Sequence, residues 1–233
     1  IMNDIADRDF DPHVARTRLR PIAAGEVSVR GALTAFLVLM AVALLLVLQT
    51  NALTVKLAFL GAALAASYPF FKRFTHWPQV VLGIAFGWGM VMAFAAETGG
   101  VPWLAWALLA VNTVWSVIYD TLYALVDIED DRKIGVRSTA IRFGRHAIAV
   151  VGALEIVMLA ALVVIGFWQG FTWPWFGGVL VAAGLMARQA RWVENADPEG
   201  CFRAFLDHNW VGLAIFVGLL GHYAWSGTLG VTF

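Results

Sequence analysis

Long apolar stretches separated by short polar connections run through most of this chain. Seven of them, at 31–50, 53–71, 79–97, 101–126, 146–168, 172–187 and 209–226, are predicted to be helices, since crossing a bilayer takes about 20 apolar residues. The connections between them alternate in charge. Residues 1–30 carry Arg8, Arg16, Arg18, Arg20 and Arg30, and the next connection on the same side carries Lys72 and Arg73. The third carries Arg132, Lys133, Arg137, Arg142 and Arg145, and the fourth Arg188, Arg191 and Arg203. Lys56 alone of the sixteen Lys and Arg residues falls on the opposite side. Basic residues accumulate on the cytoplasmic side of membrane proteins, so the basic face is expected to be cytoplasmic. The pattern predicts an all-α, polytopic transmembrane helical bundle, read as a single domain over 1–233.

Composition supports the same class. The 233 residues are 61% hydrophobic and 14% charged, with a mean hydropathy of +0.76, more apolar surface than a soluble domain of this length uses. The formal net charge is zero, so overall charge points to no partner class. No nucleic acid is expected as partner, and no protein partner is evident. The lone Cys201 excludes an internal disulfide and a four-cysteine zinc site. The first thirty residues are rich in acids as well as arginine, unlike a transit peptide.

Two acidic clusters interrupt the apolar pattern, both on the basic side. The stretch NDIADRDFD puts four aspartates into residues 3–11, and DTLYALVDIEDD follows at 120–131. At 100° per residue a helix would gather Asn3, Asp4, Asp7 and Asp11 within roughly a 100° arc, with Asp9 opposite. Asp11 precedes Pro12, which disfavours helix at Asp11, so the helix is expected to end there. Asp120, Tyr123, Asp127 and Asp131 fall within an arc of roughly 80°, with Glu129 facing away and Asp130 at the edge. Each cluster thus aligns three carboxylates on one face. A solvated acidic patch at helix ends is the alternative, but two such stripes on one side of the membrane point to a divalent-metal site. Hard carboxylate oxygens suit magnesium, which keeps waters and shares its ligands with substrate phosphates. Asp7, Asp11, Asp127 and Asp131 are the candidate metal ligands. Lys133 and Arg137 are candidate phosphate donors, with plain topology-setting charge as the alternative.

The spacings N-D-x-x-D-x-x-x-D (Asn3, Asp4, Asp7, Asp11) and D-x-x-Y-A-x-x-D-x-x-x-D (Asp120, Tyr123, Ala124, Asp127, Asp131) resemble those of the UbiA-type intramembrane prenyltransferases. The stretches YPFFKRFTHWPQVVLGIAFGWGM and GVRSTAIRFG are similar to the hydroxybenzoate branch of that family. The resemblance extends over essentially the whole chain. It implies a Mg2+-dependent enzyme that joins a polyprenyl diphosphate to the ring of a small aromatic acid, 4-hydroxybenzoate in ubiquinone biosynthesis, in the bacterial inner membrane with its site facing the cytoplasm. Asp7, Asp11, Asp127, Asp131, Asp120 and Tyr123 would be the catalytic set, with Asn3, Asp4, Arg8, Arg73, Asn112, Lys133 and Arg137 binding substrate. Arg73, helped by Arg8, would pair with the acceptor carboxylate, though both also suit the plain anchoring of helix ends. In the family the first motif closes the second of nine spans. Here it opens the chain, so one span and most of the next are expected to precede it in a nine-span parent, which would leave this chain alone with little activity.

Asn112 lies on the face of Asp120 and Tyr123, either lining a ring pocket or making a helix–helix hydrogen bond. Glu155 sits mid-span, where an ionisable residue is a functional candidate, but no partner for it is evident. The histidines show no ligand spacing. Other acceptors (homogentisate, dihydroxynaphthoate, haem, chlorophyllide) are the nearest alternatives. A CDP-alcohol phosphotransferase would carry a D-G-x-x-A-R run, absent here. A cation transporter would place its acids near mid-membrane, whereas here nearly all lie at the span ends.

Overall fold

The computed structural model describes residues 1–13 and 17–227, and every regular element among them is helical. Arg16 lies outside the described residues. In chain order the helices are α1 (Met2–Asp7), α2 (Val29–Val47), α3 (Ala52–Phe71), α4 (Pro78–Thr98), α5 (Trp103–Val126), α6 (Ile128–Ile134), α7 (Thr139–Phe143), α8 (Ala147–Trp168), α9 (Trp173–Ala190) and α10 (Pro198–Ser226).

Local signals explain most of the boundaries. The Ser28 hydroxyl accepts from Gly31 N–H at 3.1 Å to start α2, and the Asn51 side chain accepts from Thr54 N–H at 3.0 Å to start α3. Pro78 opens α4 and Pro198 opens α10, where proline costs no helical hydrogen bond. The seven long helices α2, α3, α4, α5, α8, α9 and α10 correspond to the seven expected spans. Among the described residues, six segments are long and apolar enough to cross a membrane, and Trp173–Ala190 is not one of them. Its Trp-Pro-Trp start and its Arg188-Gln189 end dilute its apolar centre. α10 begins at Pro198 rather than near 209. Glu199, Arg203, Asp207 and His208 make its first turns read as a polar loop.

The described chain divides into two compact units. The first comprises Ile1–Ser116 and Asp127–Arg142. Its apolar centre is Trp88, Val91 and Leu109, packed by Leu57, Leu64, Ile84, Met92 and Val101. Polar side chains tie its helices through backbone carbonyls, as suits a medium that offers no competing water. The Trp88 indole donates to Leu57 O at 2.8 Å, the Asn51 amide to Ala95 O at 2.6 Å, and the Asn112 amide to Gly83 O at 2.9 Å. Gly83 allows the last contact, because a Cβ there would stand 2.7 Å from Thr113 Cα. By contrast α2 buries only Ala32 and exposes Leu37, Leu39, Leu45 and Leu46, an apolar surface that a bilayer would cover.

The second unit comprises Val117–Val126 with the chain from Phe143 onward. α9 and α10 meet backbone to backbone: a Cβ on Gly178 would lie 2.8 Å from Gly218 Cα. The pair is tied at both ends. His222 Nδ1 accepts from Thr172 N–H at 3.1 Å, and at the other end Asp207 accepts from Arg188 and from the Gln189 amide. The Trp175 indole donates to Leu162 O at 3.2 Å, joining α9 to α8.

Candidate active site

The acidic start of the chain folds as a short helix that ends one turn earlier than Pro12 alone predicts. α1 stops at Asp7, and Phe10 N–H bonds Asp7 O at 2.8 Å instead of continuing the helix to Ala6 O. The Ala6 carbonyl accepts from the Arg73 guanidinium at 2.5 Å. A 3-10 turn over Asp11–His13 follows. The turn keeps the expected segregation of the acids. Asp7 and Asp11 are 2% and 5% exposed, while the Asp9 side chain is 78% exposed and pairs with the exposed Arg8 at 3.5 Å. Arg8 is therefore turned to Asp9 rather than gathered with Arg73. Asn3 is half-buried on α1.

Crowded carboxylates require nearby positive charge, and two basic side chains of the chain itself supply it. The Lys72 ammonium pairs with Asp7 Oδ2. The Arg20 guanidinium reaches both Asp4, at 3.4 Å, and Asp11, at 3.2 Å. Burial pushes the Asp11 carboxyl above its ordinary pKa, an effect that the Arg20 charge opposes and the neighbouring Asp7 charge reinforces. Asp7 Oδ1 is buried and has no hydrogen-bond partner among the described residues. Neither Arg20 nor Lys72 stood out in the sequence as a partner of these acids. The density of like charge was the available signal. It called for cations without saying which.

The second motif sits on a broken helix, not the continuous stripe expected from 120 to 131. α5 ends at Val126, Asp127 leaves helical geometry (φ −103°, ψ 9°), and α6 restarts at Ile128. Asp127 O accepts from both Asp130 N–H, at 3.0 Å, and Asp131 N–H, at 2.9 Å, so Asp127 and Asp131 stay one turn apart in phase. Both are half-buried. Asp130 and Glu129 instead take the local partners Lys133 and Arg132, each at 3.1 Å. Lys133 is thus bound to Asp130, with its side chain 71% exposed.

Gly135 ends α6 with a left-handed backbone (φ 74°) that a side chain would resist, its N–H capping Asp131 O. The chain then runs back against the end of α3. Arg137 N–H donates to Lys72 O at 2.9 Å and its guanidinium to Phe74 O at 2.7 Å. Thr139 N–H donates to the buried Gln79 side chain at 3.2 Å. The short segment from Lys72 to Phe74 is thus the shared anchor of both motifs. Lys72 binds Asp7 through its side chain and, through its carbonyl, the segment that follows α6. Arg73 is exposed, with its guanidinium over the rings of Phe10 and Phe70 at 5.4 and 5.5 Å.

Asn112 forms the helix–helix hydrogen bond to Gly83, one of its two expected roles. Asp120 and Tyr123 precede Asp127 on α5 by two turns and about one turn, in the part of the helix that belongs to the second unit. There the Tyr123 ring packs on Phe205 with centroids 4.7 Å apart.

Among the described residues, no three His, Cys, Asp or Glu side chains are gathered in a metal-holding group. The donors present still fit magnesium. They are hard carboxylate oxygens, Asp7 Oδ1 has no partner, and magnesium commonly takes one or two carboxylates with the rest of its shell from waters and substrate phosphates.

Apolar helices whose polar ends hold buried carboxylates paired with cations are the arrangement of an integral membrane protein with a charged site at its helix ends. The UbiA prenyltransferase family matches residues 1–224, and the chain belongs to that family. It is 53% identical over 227 residues to the 4-hydroxybenzoate octaprenyltransferase of Methylococcus capsulatus, covering 97% of this chain and 78% of that protein. The protein of the same name from Enterobacter sp. (strain 638) is 50% identical over 226 residues, with the same coverages of 97% and 78%. Among solved structures, the apo structure of a UbiA homolog from Aeropyrum pernix K1 superposes with a TM-score of 0.82 at 26% identity, covering 94% of this chain and 82% of that one.

Proposed function

We propose that this integral membrane protein transfers a polyprenyl group from a polyprenyl diphosphate to the ring of 4-hydroxybenzoate, the prenylation that serves ubiquinone biosynthesis. The observation that carries the reading is the identity of 50–53% across nearly the whole chain to relatives that share the name 4-hydroxybenzoate octaprenyltransferase. Their name also supports an octaprenyl donor. The family match from residue 1 to 224 supports one prenyltransferase domain. The bacterial relatives and the basic connections support an inner-membrane protein with its acidic motifs on the cytoplasmic side.

The chemistry has three parts: the allylic C–O bond breaks, the ring carbon beside the phenol bonds to the freed prenyl carbon, and that ring carbon loses its proton. Asp7, Asp11, Asp127 and Asp131 would hold magnesium, which when bound neutralises the charge that the departing diphosphate gains. Arg20 and Lys72 supply positive charge beside Asp11 and Asp7, Lys133 and Arg137 would donate to the diphosphate, and Asn3 and Asp4 complete the first motif. Asp120 and Tyr123 extend the second motif along α5. Arg73 would pair with the carboxylate of the acceptor. A planar guanidinium matches a carboxylate through two hydrogen bonds, and among the described residues the Arg73 guanidinium makes one hydrogen bond, to Ala6 O. Water-poor surroundings would protect the allylic cation from hydrolysis.

The test is prenyl transfer in washed membranes containing the protein, with octaprenyl diphosphate and 4-hydroxybenzoate. Transfer is expected to stop on chelation with EDTA and to return on adding excess magnesium. Transfer that continues undiminished in EDTA overturns the metal assignment.

A further inference from the structure

The two oxygens of Asp7 have different fates. Oδ2 faces the Lys72 ammonium, while Oδ1 is buried without a partner on a residue that is 2% exposed. A buried carboxylate oxygen left unsatisfied is costly, and at the centre of the first motif it marks a place kept for another ligand. Lys72 occupies the other oxygen, Oδ2, and is placed to leave it. Its backbone is fixed, its N–H capping the end of α3 and its carbonyl holding Arg137 N–H at 2.9 Å. Its side chain is 23% exposed, so the ammonium has room to move away from Asp7 while the residue stays anchored. A lysine is a compact charge on a flexible four-carbon stem. Arg20 is held differently, its guanidinium stretched between Asp4 and Asp11 at 3.4 and 3.2 Å.

We propose that Lys72 is an exchangeable counter-ion of the donor site. In the substrate-free protein its ammonium neutralises Asp7 and holds off a bare divalent cation. When the diphosphate arrives, the ammonium would move to a diphosphate oxygen and leave Asp7 free to hold the metal. Metal and diphosphate then bind with positive coupling, because each removes an obstacle to the other. The site does not fill with metal alone, and the diphosphate is recognised together with its cation. This inference rests on the reading of the two motifs as a prenyl diphosphate site.

The test is Mn2+ binding to the purified protein without substrate, followed by electron paramagnetic resonance, with Mn2+ as the visible stand-in for magnesium. Lys72→Met is expected to bind Mn2+ alone about tenfold more tightly than the wild type, a gain that linkage allows. The KM for polyprenyl diphosphate should rise by about the same factor at saturating magnesium, since the ligand lost is one the diphosphate needs. Lys72→Arg keeps the charge and should leave Mn2+ binding near the wild-type level. Lys72→Gln carries the same expectation as Lys72→Met and retains a hydrogen-bond donor to Asp7, so it serves if the methionine variant misfolds. Adding Asp7→Asn to either neutral variant should abolish the gain. Mn2+ binding that is unchanged or weakened in both neutral variants overturns the proposal and makes Lys72 a structural tie between α1 and α3. Tighter Mn2+ binding with an unchanged diphosphate KM overturns the hand-over. If Asp7→Asn has no effect on Mn2+ binding in any background, the donor-site reading itself fails.

Discussion

Replacing Asp7 by asparagine removes one negative charge at nearly constant size from the most buried carboxylate of the first motif. The structural cost is bounded by its pairing. Deleting one partner of a fully buried ion pair costs about 3–5 kcal/mol, but the Lys72 side chain is 23% exposed and its ammonium can rehydrate. Asp7→Asn also removes a charged Oδ1 that has no partner, so the net loss of stability should be nearer 1–2 kcal/mol, on the order of one imperfectly satisfied buried group. The loss of activity should be much larger. A charge aimed at the site where charge develops contributes about 10²–10³ in turnover, and Asp7 is proposed to act there through the metal. The assay is initial-rate transfer of a labelled prenyl group to 4-hydroxybenzoate, normalised to folded protein by thermal unfolding in detergent. Asp9→Asn is the control, since the Asp9 side chain is 78% exposed and surface changes stay within about 0.5 kcal/mol. Near wild-type turnover in Asp7→Asn, or equal losses in Asp7→Asn and Asp9→Asn, would refute the reasoning.

Three further outcomes are expected. Arg73→Lys should raise the KM for 4-hydroxybenzoate and Arg73→Ala should raise it further, with the diphosphate KM unchanged, because a carboxylate held alike in ground and transition states contributes uniform binding; a rise confined to the diphosphate KM would move Arg73 to the phosphate site. Asn112→Leu removes the hydrogen bond to Gly83 O and should lower stability by about 0.6–2 kcal/mol without changing the acceptor KM, whereas an acceptor-specific defect would put Asn112 in the ring pocket. Gly83→Ala would press a methyl group to 2.7 Å from Thr113 Cα, an overpacking that costs about 1–3 kcal/mol; an unchanged melting temperature would contradict the close approach of α4 and α5.

The apolar pattern made the long helices legible because lipid-crossing segments must be both long and apolar, and boundaries at Ser28, Asn51, Pro78 and Gly99 follow from local capping chemistry. The start of α10 was hidden because its first turns carry Glu199, Arg203, Asp207 and His208, and a polar helix leaving the membrane reads as a loop. The carboxylates of the site were legible from spacing. Their counter-ions were not. Lys72 meets Asp7 across 65 positions of sequence and Arg20 meets Asp4 across 16, and periodicity carries no information about contacts between elements. The break at Asp127 was missed for a related reason. A helical wheel assumes a continuous helix, and a single residue leaving helical geometry preserves the local phase of Asp127 and Asp131 while ending the helix that holds Asp120. The early end of α1 was not legible either, nor was the contact of Arg73 with Ala6 O beside it.

The most direct test of the central claim is a competition assay. Octaprenyl diphosphate and magnesium are supplied to membranes containing the protein together with equal concentrations of 4-hydroxybenzoate, homogentisate and dihydroxynaphthoate, and the prenylated products are identified by mass spectrometry. The account predicts that prenylated 4-hydroxybenzoate dominates, with the new bond at the ring carbon beside the hydroxyl, and that Asp7→Asn and Asp127→Asn abolish it. Preferential prenylation of homogentisate or dihydroxynaphthoate, or transfer to 4-hydroxybenzoate that survives both substitutions, would contradict it.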